Sequence, residues 1–553
     1  MPSRDCLNNA DAGSDRTTRT SSQIARTRRQ TLDDIPRRSA RRFASRTAII
    51  DGDTSLTFAE FDATVDRAAA ALSDTGLTKG DRLALLSHNC WHYPVLVFAT
   101  ARIGVILVPV NFMLGPDEIA YILDHSDATA LVAEAALVPT AAEAVRRSLA
   151  TVRVRAEIRL DGAPGHDGWL NVETWFAHEA SPPYVEIADD DPLRIMYTSG
   201  TESRPKGALL GSRSLMWQYV SCIAAGEMSE RDIEIHSMPL YHCAQLDNFL
   251  ITDLYLGATS VILRRPDPVL ILRAIERERA TNLFCPPTVW IELLRNPELA
   301  ERDVSSLSKG YYGASAMPAE VLRDIRTRFP NLRLWNFYGQ TEMASLATAL
   351  PPHEQDEFAG SAGRPAPNVE TRIVDPDGNE VSNGTVGEIV HRSPQLILGY
   401  YRNPEQTAEA FQGGWFHSGD LGRFDDEGRL YVVDRRKDMI KSGGENVSGR
   451  EVEEVLYAHD AVSEAAVFGV EDPRWVEAVA AVVVPRVGNR VSAQELIAHC
   501  RTRLAGFKVP KYVVLAESLP KNPSGKILKR ELRTRYADLA SSGPSLTKER
   551  SET

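Results

Sequence analysis

Short apolar runs alternate with segments of helical periodicity in the N-terminal half, and this alternation constrains the fold more than any other feature of the sequence. The apolar runs are typical of buried strands, and the segments between them carry apolar residues at helical spacing. These units are Arg82–Leu86 (strand), Tyr93–Arg102 (helix), Val105–Val110 (strand), Pro116–His125 (helix) and Ala128–Val132 (strand). Because strands that alternate with helices usually run parallel, we expect a mostly parallel sheet covered by helices.

The pattern returns between Glu234 and Leu294, and the sequence changes in character after Pro351. There, short β-prone runs are separated by turn dipeptides such as Asp377-Gly378, which indicates a small β subdomain. Beyond Asp438, helical and strand-like segments form a compact mixed unit. We therefore predict an α/β fold: a large N-terminal domain of parallel-rich sheets with helices and a small β subdomain, and a small, mobile α+β C-terminal domain. The predicted boundaries are residues 1–30 (disordered tail), 31–434, 435–540 and 541–553 (a second disordered tail).

Charge and composition exclude several classes of protein. With a formal net charge of −12 and a pI near 5.6, the chain has no electrostatic reason to bind nucleic acid or an anionic membrane surface. The most apolar long window, Val95 to Val110, is too short for a membrane span and contains Arg102. The six cysteines are far apart and form no C-x-x-C pair. This spacing favours reduced thiols in a cytoplasmic protein and argues against a structural zinc site or a disulfide framework.

A loop rich in hydroxyl groups, glycine and lysine lies at Tyr197 to Gly207. It follows a strand-like run, Leu193 to Met196, and precedes a helical-looking segment, Ser212 to Ala225, so we expect a loop between a strand and a helix. Backbone N–H groups near the glycines, together with Lys206, suit the binding of a triphosphate. The spacing differs from that of a Walker A loop. By composition alone, a flexible surface turn is the alternative interpretation.

Six motifs occur in one order: Tyr197–Gly207, Gly313–Pro318, Asn336–Glu342, Trp415–Gly422, Tyr431–Asn446 and Pro520–Lys526. Together they resemble the adenylate-forming superfamily of acyl-CoA synthetases, nonribosomal peptide adenylation domains and beetle luciferases. The resemblance covers roughly residues 35 to 535. It implies ATP, Mg²⁺ and CoA as cofactors.

The resemblance also implies which residues hold ATP and its metal ion. Thr341 would contact the α-phosphate, and Glu342 offers a hard oxygen ligand suited to Mg²⁺. Asp420 would accept hydrogen bonds from the ribose hydroxyls, with Arg435 as a second ribose contact. The β- and γ-phosphates would bind Thr198, Ser199, Gly200, Thr201 and Lys206, and the adenine slot would comprise Gly313, Ala314, Ser315, Asn336, Phe337 and Tyr338.

Lys526 resembles the lysine that bridges the carboxylate and the α-phosphate during adenylation. By the same resemblance, the C-terminal domain would then rotate about Lys437, withdraw Lys526 and bring Lys441–Glu445 to the acyl-adenylate. The small residues Gly443 and Gly444 would leave room for the pantetheine arm of CoA.

The acyl pocket is expected near Pro239–His242, which resembles the position where acyl-CoA synthetases often carry a gating histidine or aromatic residue. His242 is therefore assigned to the catalytic site as well as to the pocket, and Tyr241 and Gly339 are assigned to the pocket. Asp247 lies close to the expected pocket wall. It could cap the following apolar helix, or it could pair with a cationic or hydroxylated substrate.

The main hypothesis is an ATP-dependent carboxylic acid:CoA ligase that works through acyl-AMP, for a medium to long fatty acid or an aryl-alkenoic acid. One alternative keeps the adenylation and changes the acceptor to a carrier protein, an amine or nitrite. Another is a nucleotide-binding pseudoenzyme with a regulatory role, motivated by Glu202-Ser203, which stands where the family more often has Thr-Gly. The expected partners are a small carboxylic acid, ATP and CoA, without nucleic acid, and the sequence leaves a monomer and a homodimer both open.

Overall fold

A computed structural model of the protein describes residues 23–24, 27–198, 205–313, 317, 319–436, 438–442, 445–486, 488–521 and 527–539. Of the predicted tail at residues 1–30 it describes 23–24 and 27–30, and the chain is helical at 23–24 and 27–28. The predicted tail at residues 541–553 lies outside the described residues.

The strands coincide with the aliphatic and β-branched runs of the sequence, because such side chains pack well on a pleated, buried surface. Strands Arg82–Leu86 and Ile106–Val110, for example, are buried along almost their whole length. The strands of the N-terminal region are β1 Thr47–Asp51, β2 Thr54–Thr57, β3 Arg82–Leu86, β4 Ile106–Val110, β5 Ala130–Glu134, β6 Val154–Ile158, β7 Leu170–Asn171, β8 Pro192–Thr198, β9 Lys206–Gly211, β10 Ile233–His236, β11 Thr259–Ile262, β12 Asn282–Phe284, β13 Lys309–Gly313, β14 Arg333–Gln340, β15 Ser345–Leu350 and β16 Arg364–Pro365. Those that follow are β17 Glu370–Val374, β18 Gly387–Arg392, β19 Gly399–Tyr400, β20 Phe411–Gln412, β21 Trp415–Phe424, β22 Leu430–Arg435, β23 Ile440–Ser442, β24 Glu445–Val447, β25 Val462–Asp472, β26 Val476–Pro485 and β27 Tyr512–Leu515.

Several helices begin at a capping residue that the sequence offers. The second helix, for example, starts after Thr57, whose hydroxyl accepts the N–H of Glu60 while the Glu60 carboxylate accepts the N–H of Thr57. No helix among the described residues is long and apolar enough to cross a membrane. The helices are α1 Asp34–Phe43, α2 Phe58–Asp74, α3 His92–Arg102, α4 Pro116–Ser126, α5 Val138–Arg147, α6 Val172–Phe176, α7 Ser212–Gly226, α8 Cys243–Gln245, α9 Ile251–Leu256, α10 Pro268–Glu278, α11 Pro287–Arg295, α12 Ala319–Arg328, α13 Pro404–Ala410, α14 Gly449–Tyr457, α15 Ala493–Arg501 and α16 Lys529–Arg535, with a π-helical turn at Leu246–Leu250 between α8 and α9.

Two sheets dominate the N-terminal domain. One has the strand order β16-β15-β14-β13-β12-β10-β11-β1-β2, and the other has the order β19-β9-β8-β4-β3-β5-β6-β7. Both are parallel at their centres, at β13-β12-β10-β11 and at β8-β4-β3-β5-β6, and antiparallel towards an edge. The prediction of parallel-rich sheets covered by helices is therefore confirmed.

The loop from Tyr197 to Gly207 differs from its prediction. It joins β8 to β9 in an antiparallel hairpin, in which Thr198 pairs with Lys206 and Tyr197 with Gly207, and the predicted helix follows only after β9. The expectation of a strand-to-helix loop is wrong, because the buried run from Gly207 to Gly211 pairs with β8 instead of entering the helix. A Cβ on Gly207 would lie 2.7 Å from Cγ2 of Ile195, so only glycine fits this pairing without displacement.

The small β subdomain and the C-terminal α+β unit are formed as predicted. The subdomain sheet has the order β17-β18-β21-β20, with β22 beside β21. The C-terminal sheet has the order β24-β23-β26-β25, with β27 beside β26, and α14 and α15 pack with it. Because β22 ends at Arg435 and β23 begins at Ile440, the two units are joined by a very short connection.

Candidate active site

The carboxyl end of β14 provides an aromatic residue that contacts the subdomain sheet. The Tyr338 hydroxyl donates to Asp420 Oδ2 at 2.7 Å, and Arg435 Nε lies 3.3 Å from Asp420 Oδ1. Asp420 and Arg435 face each other because they are register partners in β21 and β22. Burial raises the pKa of Tyr338 well above its usual range, and the Asp420 carboxylate raises it further, so the phenol remains a donor. Three predicted nucleotide-binding residues are thus brought together.

Backbone contacts so close that only glycine fits form the wall beside these residues. A Cβ on Gly313 would lie 2.4 Å from the Phe337 carbonyl oxygen, and one on Gly339 would lie 1.8 Å from the Ser345 carbonyl oxygen. The side-chain amide of Asn336, which precedes Gly339 on β14, donates to the Ser361 carbonyl at 2.9 Å. The predicted adenine slot is therefore lined by tightly packed backbone of β13 and β14.

Glu342 and Lys206, which are far apart in sequence, are linked through Tyr400. The Tyr400 hydroxyl donates to Glu342 Oε1 at 2.9 Å, and Lys206 Nζ lies 5.6 Å from the centre of the Tyr400 ring. Burial raises the pKa of Tyr400, and the negative charge of Glu342 raises it further. The phenol therefore stays protonated and holds the carboxylate as a neutral donor.

The donor set at this point fits a magnesium ion. Glu342 offers a carboxylate oxygen, the type of hard ligand that Mg²⁺ prefers, and its partner Tyr400 is a neutral hydroxyl and not a competing cation. Thr198, at the end of β8, adds a hydroxyl beside Lys206, its register partner.

Thr341 and His242 meet at Cys243. The Thr341 hydroxyl lies 3.4 Å from Cys243 Sγ, and His242 is the N-cap of α8, where its Nδ1 accepts the Ala244 N–H at 3.2 Å. A neutral His242 with an accepting Nδ1 carries its proton on Nε2. Burial raises the pKa of Cys243 to about 12, so this thiol is a poor nucleophile at neutral pH. Cys243 therefore lies between the predicted gating histidine, His242, and Thr341, the predicted contact of the α-phosphate.

Asp247 does not cap a helix, so that interpretation is wrong: His242 holds the N-cap, and Asp247 lies inside the π-helical turn. Its Oδ1 lies 2.5 Å from Nη1 of Arg194 on β8 and accepts the Tyr219 hydroxyl at 3.1 Å. One oxygen of the Asp247 carboxylate, Oδ1, is therefore already paired inside the protein.

Several predicted site residues lie outside the described residues, and their roles stay predictions. They are Ser199, Gly200, Thr201, Glu202, Ser203, Ala314, Ser315, Lys437, Gly443, Gly444 and Lys526.

Lys441 is described. Its side chain is exposed, and its backbone N–H donates to Glu477 Oε2 at 2.6 Å.

Sequence reasoning missed Tyr400 and Arg194. Tyr400 carries no local signal, because it reaches Glu342 only through the pairing of β19 with β9. Arg194 did carry one: it is a lone charge in the apolar run Leu193–Met196, as Asp247 is in the apolar segment that follows His242. Two isolated opposite charges in buried elements favour a buried ion pair.

Two family models match the chain. The model described as AMP-binding enzyme matches residues 36–401, and the model described as AMP-binding enzyme C-terminal domain matches residues 451–526.

Curated relatives and solved structures agree with these matches. The chain is 39% identical over 509 residues to a feruloyl-CoA synthase of Amycolatopsis sp, covering 92% of this chain and 100% of the relative. It is 34% identical to the long-chain-fatty-acid–CoA ligase FadD13 of Mycobacterium tuberculosis, covering 88% of this chain and 94% of the relative. The solved amide bond synthetase McbA of Marinactinospora thermotolerans is similar with a TM-score of 0.82 at 30% identity, covering 92% of this chain and 100% of McbA.

Proposed function

This chain belongs to the family of AMP-binding enzymes, and on that premise we propose the roles of its site residues and the class of its substrate. It is an AMP-forming acid–thiol ligase, which activates a carboxylic acid to acyl-AMP with release of pyrophosphate and transfers the acyl group to CoA. One observation carries the assignment of the site. The contacts from Lys206 through Tyr400 to Glu342, and from Tyr338 to Asp420, connect the hairpin, the end of β14 and the subdomain sheet in one place.

The nucleotide is held by groups that suit its charge. Attack of a carboxylate on the α-phosphate brings anions together, so positioning and charge neutralisation are the main demands. Lys206 binds the departing pyrophosphate, and Thr341 orients the α-phosphate. Asp420, already oriented by Tyr338 and Arg435, accepts the ribose hydroxyls. Mg²⁺, when bound at Glu342, supplies positive charge at the phosphates.

The C-terminal domain, which we place at residues 435–540 after an N-terminal domain at 31–434, divides the two half-reactions. Lys526 bridges the carboxylate and the α-phosphate in adenylation. Rotation about Lys437 then brings Lys441 and the glycines at 443 and 444 to the acyl-adenylate. The exposure of the Lys441 side chain supports this division, because this side chain is not packed inside either domain in the present arrangement.

The acid is an aryl or aryl-alkenoic acid. The name of the relative that is 39% identical, feruloyl-CoA synthase, supports this class. The long-chain-fatty-acid–CoA ligase at 34% identity makes a medium to long fatty acid the second choice. The buried free thiols at Cys90, Cys222, Cys243, Cys285 and Cys500 support a reducing cytoplasmic location.

Pyrophosphate exchange with a panel of acids, followed by mass spectrometry of products with and without CoA, tests the reaction. We expect acid-dependent exchange without CoA and a thioester only with CoA. Absence of exchange with every acid would instead support the nucleotide-binding pseudoenzyme.

Lys526→Ala tests whether the two half-reactions use different residues of the C-terminal domain. The loss of its positive charge should slow adenylation by roughly 10²- to 10³-fold. Thioester formation from a supplied acyl-adenylate should stay near the wild-type rate, and equal loss of both half-reactions would contradict the rotation.

An amine acceptor is the second candidate, favoured by the likeness to an amide bond synthetase. Replacing CoA by a panel of amines would reveal it: an amide formed faster than the thioester would displace CoA as the acceptor. A carrier protein or nitrite can be supplied in the same assay.

A further inference from the structure

Arg194 and Asp247 form an ion pair in the interior of the N-terminal domain. Their side chains are 1% and 0% exposed, and Arg194 Nη1 lies 2.5 Å from Asp247 Oδ1. The Tyr219 hydroxyl donates to the same oxygen at 3.1 Å. The pair connects β8, which leads into the phosphate-binding hairpin, with the helical segment that begins after His242.

The pair leaves several polar atoms without hydrogen bonds. Arg194 Nε and Nη2, Asp247 Oδ2 and the hydroxyl of the fully buried Tyr93 have no hydrogen-bond partner among the described residues. The charges of Arg194 and Asp247 act on the Tyr93 phenol, as does Tyr241, so these groups share one neighbourhood. Leaving buried polar atoms unpaired is costly, so a group of them in one place favours a partner outside the chain, either an ordered water or a polar group of a ligand.

This neighbourhood lies one helical turn from the reaction centre. Cys243 contacts the Thr341 hydroxyl at 3.4 Å, and Asp247 follows Cys243 by four residues on the same helical segment. Residues spaced in this way lie on one face, separated by roughly 5 to 6 Å along the axis. Asp247 also lies in a π-helical turn, a rare conformation that occurs frequently at functional sites.

The charges decide which chemical group fits. Arg194 cancels the charge of Asp247, so neither an ammonium nor a carboxylate group is favoured, and the cationic substrate considered from the sequence is disfavoured. The unpaired atoms include donors on Arg194, an acceptor on Asp247 and the Tyr93 hydroxyl, which can act as either. A hydroxyl group both donates and accepts, so it can pair with all of these types.

We propose that Arg194, Asp247 and Tyr93 form a polar subsite of the acyl pocket that binds a neutral hydroxyl group on the acid substrate. The proposal rests on the acid-activating function and narrows its substrate class. It requires an acid whose hydroxyl lies roughly 5 to 6 Å beyond the carboxylate, as on an aromatic ring.

Matched pairs of acids test the subsite: benzoic and 4-hydroxybenzoic acid, cinnamic and 4-hydroxycinnamic acid, and octanoic and 8-hydroxyoctanoic acid. For each pair, kcat/KM is measured as AMP release with ATP and CoA. We expect the wild type to prefer the hydroxylated acid by about tenfold or more in at least one pair. No preference in any pair, with AMP release intact, would overturn the subsite while leaving the ligase function standing.

Tyr93→Phe removes one of the unpaired groups and keeps the ring. It should lower kcat/KM for the hydroxylated acid by about fivefold or more and leave that for the unsubstituted acid unchanged. Tyr311→Phe is the matched control, because this buried phenol donates to the Gly226 carbonyl at 2.8 Å, and it should leave the selectivity ratio unchanged. An equal loss on both acids in Tyr93→Phe would show a purely structural role.

Thermal stability gives a second measurement that does not depend on turnover. Because the Tyr93 hydroxyl is unpaired in the protein alone, Tyr93→Phe should not lower the melting temperature without ligand. The hydroxylated acid should raise the melting temperature of the wild type more than that of Tyr93→Phe. Equal ligand shifts in the two proteins would contradict the proposal.

A complete absence of AMP release with all acids would overturn the ligase function and the subsite together.

Discussion

At the scale of single residues, Tyr400 shows how one side chain can organise a charged site. Its hydroxyl holds Glu342, and its ring lies beneath Lys206. A cation over an aromatic face is attracted to it, and a hydrogen bond to a carboxylate is stronger than one between neutral groups. Tyr400 therefore places the carboxylate and the lysine relative to each other without adding a charge.

Tyr400→Phe should weaken Mg²⁺ binding at the site proposed at Glu342 while preserving the ring below Lys206. Loss of a hydrogen bond to a charged group is worth about 1.5 to 3 kcal/mol, so adenylation should slow by roughly 10- to 100-fold. The Mg²⁺ concentration for half-maximal pyrophosphate exchange should rise. Tyr401→Phe, at the next position, serves as the control. An unchanged Mg²⁺ titration in Tyr400→Phe would contradict the positioning role.

At the scale of elements, β10 and α9 bring together a buried acidic group consisting of Glu234, His236 and Asp253, all fully buried. Their potential ligand atoms lie within 4.8 Å of one another. His236 Nδ1 accepts the side-chain amide of Gln245 at 2.9 Å, and Gln245 Oε1 in turn accepts the Met238 N–H. The His236 proton therefore sits on Nε2, 3.3 Å from Asp253 Oδ2. A protonated ring nitrogen cannot bind a metal ion, so His236 is not positioned as a metal ligand. The two buried carboxyl groups, Glu234 and Asp253, reduce their mutual repulsion by retaining a proton, because burial raises the pKa of both.

Stability should therefore decrease as pH rises, in part because of Glu234. Burial raises its pKa well above 4.5, and the neighbouring Asp253 and Asp232 raise it further. When folding raises the pKa of a group, its stabilising contribution is fully present at pH values below the unfolded pKa. The folded protein loses this contribution as the pH rises through the folded pKa. The loss is at most about 1.4 kcal/mol per pH unit for one proton.

Glu234→Gln keeps the neutral shape and removes this titration. Between pH 5.5 and 8, its melting temperature should fall less than that of the wild type. Glu301→Gln, a change at an exposed carboxylate, is the control. Parallel pH profiles for the wild type and Glu234→Gln would show that Glu234 is ionised in the folded protein.

At the scale of the whole molecule, the C-terminal domain contacts the N-terminal domain through a polar interface. Arg295 on α11 donates to the Ser463 hydroxyl at 3.0 Å, and Arg486 lies 3.4 Å from Glu320 on α12. These groups border a cavity of about 230 Å³ between the domains. Polar interfaces of this kind permit domain motion.

The Arg486–Glu320 pair should favour the present arrangement over the rotated one. Lys521, which borders the segment containing Lys526, interacts electrostatically with Glu292 of the N-terminal domain. We therefore expect this arrangement to serve adenylation. Arg486→Glu should slow pyrophosphate exchange by about two- to fivefold, the range for a partly exposed ion pair. It should not slow thioester formation from a supplied acyl-adenylate.

Charge reversal provides the control for this prediction. Arg486→Glu combined with Glu320→Arg restores the pairing with opposite polarity, so exchange should return towards the wild-type rate. A double variant as slow as Arg486→Glu, or equal slowing of both half-reactions, would argue against a role in domain placement.

Much of the fold was predictable because its signals are local. Runs such as Arg82–Leu86 and Pro116–His125 predicted elements that the structure forms within one or two residues, since the burial of one face produces a periodic pattern in the sequence. The order of the motifs likewise predicted one site containing Tyr338, Glu342 and Asp420, and the structure brings Tyr338 and Asp420 into contact.

The sequence by itself therefore determined the α/β architecture and the adenylating chemistry, because periodicity and motif composition reside in neighbouring residues. Only the tertiary structure decided that Lys206 starts a strand, that Tyr400 reaches Glu342 across 58 positions, and that Arg194 pairs with Asp247 across 53. Such pairings depend on strand register and on how the layers pack. A buried charge has many possible partners along the sequence, and the packing of the elements places only one of them, Asp247, beside Arg194.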